Sequence, residues 1–133
     1  MNLEKFSNLT EVITIEEFNL LLDYFIDNKK NYNSIESIEI LEILGEKYSK
    51  FYGTYCLSKR QKSCLLEILI ALTDFSNLDT LQSLTFILYS FEIKEFFHYL
   101  KKHINTIINE NVRNDLIDSL NEYEKMETAK TKL

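Results

Sequence analysis

The near absence of turn-forming residues is the feature that most restricts how this chain can fold. Its 133 residues contain no proline and only two glycines, Gly45 and Gly53. An all-β protein of this length would need many tight turns, which usually depend on glycine, proline and Asn-Gly pairs. Leucine, isoleucine, glutamate and lysine dominate instead, as is typical of helical proteins. We therefore predict an all-α fold in which residues 1–133 form one domain of about six or seven antiparallel helices.

Capping signals predict where two of the helices begin. Thr14 with Glu17, and Ser58 with Gln61, have the spacing of a capping box, in which each side chain hydrogen-bonds to the other residue's backbone N–H. The helix after Thr14 should run to about Lys29. The other predicted segments are a helix from Asn33 or Ser34 that either passes or breaks at Gly45, apolar central helices within 58–90, C-terminal helices within 93–125 and a frayed tail at 126–133.

The segment after Ser58 is apolar on nearly every side of the predicted helix, which indicates a central helix covered by its neighbours. We predict C-terminal helices from about Ile93 to Ile108 and from Val112 to about Lys125. The apolar residues of the central helix are Leu65, Leu66, Ile68, Leu69, Ile70, Ala71 and Leu72.

Charge is distributed unevenly along the chain, whose formal net charge is −6. Residues 1–46 contain ten acidic residues and three lysines, whereas residues 47–104 carry a small positive excess. The first third is therefore an acidic helical segment that supplies all of the negative excess. Such a segment would attract a basic partner at long range and repel a polyanion.

Two predicted helices place hydrophobic residues among these acids. In the stretch SIESIEILEILGE, residues 34–46, Ile43 projects into an acidic stripe, while Ile38, Ile40, Leu41 and Leu44 form the apolar stripe. The acids would steer a basic protein partner and the hydrophobes would anchor it, unless this is simply a solvated face whose hydrophobes meet another helix. The predicted partner-binding residues are Glu16, Leu20, Asp23, Tyr24, Asp27, Glu36, Glu39, Glu42, Ile43 and Glu46.

Residues that carry catalysis or bind metals form no recognisable pattern. His98 and His103 are separated by about 140° around a helix, so they cannot bind one metal from a single helix face. Cys56 and Cys64 form no C-x-x-C pair, and no glycine-rich phosphate loop exists. We predict no enzymatic activity, no metal and no cofactor.

The cysteines and the hydropathy pattern also predict where the protein acts. Two cysteines are too few for a disulfide framework and indicate reduced thiols. The start MNLEKFSNLT does not resemble a secretory signal, and no run of about 18 uncharged apolar residues exists. We therefore expect a cytoplasmic protein that does not enter a membrane.

The segment from Lys47 to Lys62 offers an alternative function. Five basic residues cluster there beside four aromatic ones, a composition that can bind phosphates and stack bases. The opposing interpretation is that the aromatics face the core, and the acidic net charge also disfavours nucleic acid. The basic residues are Lys47, Lys50, Lys59, Arg60 and Lys62, and the aromatic ones are Tyr48, Phe51, Tyr52 and Tyr55.

The sequence NVRNDLIDSL, residues 111–120, resembles the start of a HEAT repeat, with Leu116, Ile117 and Leu120 directed inward. The resemblance covers residues 58–125 and implies a short α-solenoid. Because the repeat has no clean period, an irregular bundle remains the alternative.

In size, acidity, helical composition and lack of catalytic motifs, the chain resembles the immunity proteins of contact-dependent growth inhibition and related polymorphic toxin systems. That resemblance implies a stoichiometric inhibitor that binds a cognate toxin, often a basic nuclease, with carboxylates in place of phosphates. We expect a monomer or weak dimer when free and no nucleic-acid ligand. The alternatives are a helical adaptor or phage-encoded inhibitor of another host protein, and a nucleic-acid-binding regulator.

Overall fold

The computed structural model describes residues 3–131, with side chains described through residue 129. Within this range the chain forms seven α-helices, two short 3₁₀ turns and no strand, so the all-α prediction is confirmed. The elements are α1 (Leu3–Ser7), α2 (Ile15–Asp27), a 3₁₀ turn (Lys29–Asn31), α3 (Ser34–Ser49), α4 (Lys59–Leu72), α5 (Leu78–Phe91), α6 (Lys94–His103), a 3₁₀ turn (Ile104–Thr106) and α7 (Glu110–Thr131).

The helices group into two compact units, Met1–Leu72 and Thr73–Leu133. Unit 1 contains α1 to α4, and unit 2 contains α5 to α7. Each unit has buried apolar residues of its own. That both belong to one domain, with a HEAT-like or an irregular arrangement, stays a prediction.

Helix α2 organises the core of unit 1, because it packs against both α3 and α4. The buried face of α2 includes Phe18, Leu22, Phe25 and Ile26, whereas Ile15 is only half-buried. This spacing places the four side chains on one side of the helix. The short helix α1 was not predicted from the sequence, and it contributes the fully buried Phe6 and packs on α3.

An aromatic cluster joins α2 to the end of α3. Phe18, Tyr48, Phe51 and Tyr55 surround one another with ring centroids 5.5 to 6.4 Å apart. Most pairs meet edge to face, which is a favourable geometry for aromatic rings. Tyr52 lies outside this cluster and is 87% exposed, so the interpretation that the aromatic residues between Lys47 and Lys62 face the core is wrong for Tyr52.

Helix α3 continues through Gly45, which is buried in its interior, and ends at Ser49. The predicted alternative of a break at Gly45 is therefore wrong. Gly53 does not end the helix directly but lies in the turn after it, where Tyr52 has φ 50° and Gly53 has φ 81°. These left-handed values reverse the chain once the helix has ended, and they suit glycine better than tyrosine.

The predicted capping boxes at Thr14 and Ser58 mark real helix starts. The Gln61 N–H donates to Ser58 Oγ at 3.0 Å, and the Ser58 N–H donates to Gln61 Oε1 at 3.0 Å. The prediction that α4 is buried on nearly every side is wrong, because Ile70 and Ala71 are exposed. The buried residues of α4 lie on one face, as expected of a helix that packs on α2.

In unit 2, α5 packs against α6 and α7, and α6 also packs against α7. Helix α6 ends at His103, before the predicted Ile108, and Thr106 Oγ1 donates to the His103 carbonyl at 2.6 Å. Threonine bonded in this way competes with continued helix. Leu116 and Leu120 are buried as predicted, whereas Ile117 is half-buried.

The predicted frayed tail is wrong for residues 126–131, which continue α7. Residues 132–133 lie outside the described range. Methionine, glutamate, alanine and lysine are strong helix formers, and each residue added to an existing helix adds a hydrogen bond. Tyr123, which is only 1% exposed, fixes the preceding turn with its ring 5.0 Å from that of Phe97.

Candidate protein-binding surface

Helix α2 carries four acidic residues and no basic one. At about 100° per residue, Leu20 lies near the middle of the exposed face of α2 and divides that face into two sides. Glu16, Asp23 and Asp27 fall on one side of Leu20, and Tyr24 falls on the other. The predicted binding residues of α2 therefore share a broad face but point toward two different environments.

Two of these acids are engaged by an arginine from the first turn of α4. Arg60 Nη2 lies 2.8 Å from Asp27 Oδ1, and Arg60 Nη1 lies 3.5 Å from Asp23 Oδ1. The hydrogen bond to Asp27 and its charge raise the pKa of Arg60. All three side chains remain about half exposed, so the pair is accessible to solvent. Asp23 and Asp27 are consequently already partly neutralised within unit 1.

Beneath this ion pair, a buried polar network fixes the start of α4 against α2. Gln61 is only 4% exposed, and its Nε2 donates to Asn19 Oδ1 at 2.8 Å and to Asp23 Oδ1 at 3.2 Å. The Tyr55 hydroxyl donates to the same Asn19 oxygen at 2.6 Å. Sequence reasoning assigned Gln61 only to the capping box, because nothing in the local pattern indicated its long-range partners.

On the other side of Leu20, an apolar hollow of about 300 Å³ opens between α1 and α2. Leu20 itself is 73% exposed, and Tyr24 is half-buried. A hydrogen bond links the side chains of Tyr24 and Tyr32. The residues that line this α1–α2 hollow are Lys5, Leu9, Glu17, Leu20, Leu21 and Tyr24.

The outer face of α3 lies opposite the buried Ile40, Leu41 and Leu44. Glu39 and Glu46 are exposed on this face, and Glu42 and Ile43 are half-buried. Ile35, one turn before Glu39, is 78% exposed. The predicted binding residues do not include Ile35, although its spacing of four and eight residues from Glu39 and Ile43 places it on the same stripe.

Two acids of α3 have structural partners. The Glu36 carboxylate accepts a hydrogen bond from the Asn33 backbone N–H at 3.0 Å, which completes a capping box with Asn33 as the cap. Glu46 lies 3.2 Å from Lys50, which also reaches the Glu11 carboxylate at 3.5 Å. Burial acts to lower the pKa of Lys50, but hydrogen bonds and charge from Glu46 and Glu11 outweigh it and raise the pKa.

The predicted binding residues thus differ in whether their side chains already have partners within unit 1. Asp23, Asp27, Glu36 and Glu46 have partners inside unit 1, as described above. Among the residues that the structure describes, no hydrogen bond or ion pair engages the exposed carboxylates of Glu16 and Glu39.

The basic and aromatic residues between Lys47 and Lys62 also fall into two groups, those that are buried or packed within unit 1 and those that are exposed. Lys47 is only 7% exposed, and its Nζ donates to the Glu11 carbonyl at 3.1 Å. Three of the four aromatic residues belong to the aromatic cluster of unit 1, and only Tyr52 is exposed. Lys59 and Lys62 are exposed on α4.

The other chemistry-bearing residues lie apart. No group of three or more potential metal ligands occurs within residues 3–129. Cys56 and Cys64 are free thiols, the first exposed and the second half-buried. His98 is exposed, whereas the ring of His103 packs 4.6 Å from that of Tyr99.

None of the helices in the described part of the chain combines the length and apolar character needed to cross a bilayer.

Comparison with known proteins adds no relative. The chain matches no protein-family model, no curated protein and no solved structure. Any assignment of function therefore rests on the residues of this chain.

Proposed function

We propose that this chain is an immunity-type inhibitor that binds and neutralises a cognate toxin with a basic surface, such as a nuclease, through the outer face of α3 and the acidic face of α2. The observation that carries the proposal is the exposure of Ile35 beside the exposed Glu39. An isoleucine exposed next to a carboxylate suits an interface in which the hydrophobe anchors and the acid steers.

Helix α2 supports the proposal with the same combination of residue types. Leu20 is 73% exposed, and Glu16, one turn earlier, is exposed as well. In the proposed complex, the carboxylates of Glu16 and Glu39 occupy the positions that nucleic-acid phosphates would take on a basic toxin. The inhibitor acts in the cytoplasm, the compartment in which Cys56 and Cys64 would stay reduced.

The competing hypothesis of nucleic-acid binding receives less support from the arrangement of Lys47 to Lys62. Base stacking requires accessible aromatic faces, and Tyr48, Phe51 and Tyr55 pack against one another and against Phe18. Arg60 is paired with acids of α2. A protein partner therefore accounts for the exposed residues better than a polyanion does.

The direct test is rescue of growth from the toxin. The product of the reading frame upstream of this chain's gene should arrest growth when expressed alone in the cytoplasm, and co-expression of this chain should restore growth. The double variant Ile35→Lys, Glu39→Lys should lose rescue, because it removes an anchor and reverses a steering charge.

A matched control keeps the same charge change on another exposed helix face. Asn114→Lys with Asp118→Lys alters two exposed residues four positions apart on α7 and should retain rescue. Both variants should keep the circular dichroism spectrum and melting temperature of the wild type. Absence of rescue by the wild-type chain, or equal loss of rescue in both variants, would contradict the proposal.

A further inference from the structure

Another hollow of unit 1 lies between α3 and α4, two helices that both pack on α2. Its volume is about 230 Å³, below the range of pockets that take drug-sized ligands, so it suits a small metabolite. Lys29 and Ser34 line it from the 3₁₀ turn before α3 and from the start of α3, and Glu67, Ile68 and Leu72 line it from α4. We call this space the α3–α4 hollow.

Ser37 also lines the hollow, and its hydroxyl has no partner. The residue is 5% exposed, and burial of a hydroxyl without a hydrogen bond is unfavourable. Thr85 and Ser90, which also lie within helices, donate to the carbonyl four residues earlier at 2.7 and 3.0 Å. The Ser37 hydroxyl makes no such bond and no other with the described residues. Since no fully covered side-chain oxygen within residues 3–129 lacks a partner, the Ser37 oxygen is accessible from the hollow.

Lys29 and Glu67 add one charge of each sign to the lining. Both side chains are exposed, and no hydrogen bond or ion pair engages either of them in the part of the chain that the structure describes. A ligand with a single charge would leave one of the two unpaired. Ile68 and Leu72 add an apolar wall. The occupant that fits these groups therefore carries a carboxylate, an ammonium group and a small apolar side chain.

We propose that the α3–α4 hollow binds a small apolar α-amino acid as its zwitterion. The carboxylate accepts hydrogen bonds from Lys29 and from the Ser37 hydroxyl, near the N-terminus of α3, where the helix dipole favours negative charge. The ammonium group pairs with Glu67, and the side chain packs on Ile68 and Leu72. The inference is independent of the proposed function, because none of these residues belongs to the predicted partner-binding surface.

The test titrates L-leucine into the full ¹⁵N-labelled chain and follows the amide chemical shifts. Saturable changes should centre on Lys29, Ser34, Ser37 and Glu67, with a dissociation constant on the order of 1 mM. Two analogues separate the charges of the ligand. Leucinamide lacks the carboxylate and should bind about tenfold more weakly. The analogue 4-methylpentanoate lacks the ammonium group and should bind about threefold more weakly, because Glu67 is exposed to solvent.

Ser37→Ala should weaken leucine binding about tenfold, since it removes a donor to the carboxylate. It should not lower the melting temperature, because no hydrogen bond within the protein is lost and alanine favours the helix more than serine does. Ser83→Ala makes the same change at a half-buried serine of α5 in unit 2 and should bind leucine like the wild type. Glu67→Gln should weaken leucine binding about threefold and leave the affinity for 4-methylpentanoate unchanged.

The absence of saturable shift changes up to about 20 mM leucine would overturn the proposal. Binding of leucinamide as tight as that of leucine would also overturn it, because the hollow would then select a cation such as a partner's lysine. A lower melting temperature of Ser37→Ala would assign its hydroxyl a structural role, and an equal loss of binding in Ser83→Ala would show that leucine binds elsewhere. The growth-rescue assay tests the proposed function separately.

Discussion

Tyr123 is a residue whose ionisation is controlled by the core of unit 2. Burial is the largest cause that raises its pKa to about 12, and the negative charges of Glu127 and Glu95 add to the effect. In the unfolded chain, the pKa of a tyrosine is about 10. The folded state therefore keeps the Tyr123 proton over a range of pH in which the unfolded state loses it.

This difference predicts a loss of stability at alkaline pH. The contribution of Tyr123 is fully present below pH about 10 and falls as pH rises toward about 12, reaching a loss on the order of 1 kcal/mol by pH about 11. Tyr123→Phe should remove this part of the pH dependence, whatever its constant effect on stability. Urea unfolding of both proteins between pH about 9 and about 11 measures the difference. Parallel pH profiles would show that Tyr123 is not the group responsible.

Ile43 and its neighbour Leu44 should differ in how much stability is lost when each is truncated to alanine. Leu44 is fully buried, whereas Ile43 is half-buried on the acidic side of α3. Leu44→Ala should lower the free energy of unfolding by about 2–5 kcal/mol, and Ile43→Ala by about 1 kcal/mol. Urea unfolding followed by circular dichroism at 222 nm measures both. If Ile43→Ala costs as much as Leu44→Ala, Ile43 belongs to the core and its place in the binding surface is lost.

Periodicity could predict most of the buried apolar residues of α3, but not that Ile38 is only half-buried or that Lys47 is buried. Ile40, Leu41 and Leu44 follow the apolar stripe and are buried. Tyr52 is more exposed than an inward-facing aromatic residue would be, because exposure depends on which neighbouring element covers a face. That information is not contained in the local sequence.

At the scale of elements, Gln61 connects the start of α4 to α2. Gln61→Ala should lower the free energy of unfolding by about 2 kcal/mol, since it removes a capping bond and the hydrogen bonds of a buried side chain to Asn19 and Asp23. Gln61→Met preserves the volume and should cost less than alanine. The control Asn77→Ala removes only the cap of α5 and should cost about 1 kcal/mol. Urea denaturation that finds Gln61→Met as stable as the wild type would contradict the importance of the network.

Helix starts were more predictable than helix ends. Thr14, Asn33 and Ser58 carry local capping signals, and the helices begin where these signals predict. The end of α6, the extension of α7 and the existence of α1 depend instead on tertiary packing or on competing hydrogen bonds. The α1–α2 hollow could not be predicted for the same reason, since α1 forms one of its walls.

At the scale of the whole molecule, the net charge of −6 opposes binding to a polyanion. We predict no complex with labelled single-stranded RNA or double-stranded DNA at protein concentrations up to about 100 µM and ionic strength of about 0.15 M. Fluorescence anisotropy measures this directly. A complex in the micromolar range that is lost on Lys59→Glu with Lys62→Glu would restore the nucleic-acid hypothesis. These two substitutions test the hypothesis better than a substitution of Arg60 would, because Arg60 also forms ion pairs with Asp23 and Asp27.

The contact of Arg60 with Asp23 and Asp27 has a consequence for selectivity. Any cation that approaches these two carboxylates competes with a guanidinium that is attached to the same chain. A group tethered in this way acts at an effective concentration on the order of millimolar or higher, so dilute isolated cations cannot displace it. Glu16 and Glu39 face no such internal competitor among the described residues. In the proposed complex, this pairing would favour a partner that presents several positive charges in fixed geometry over free arginine.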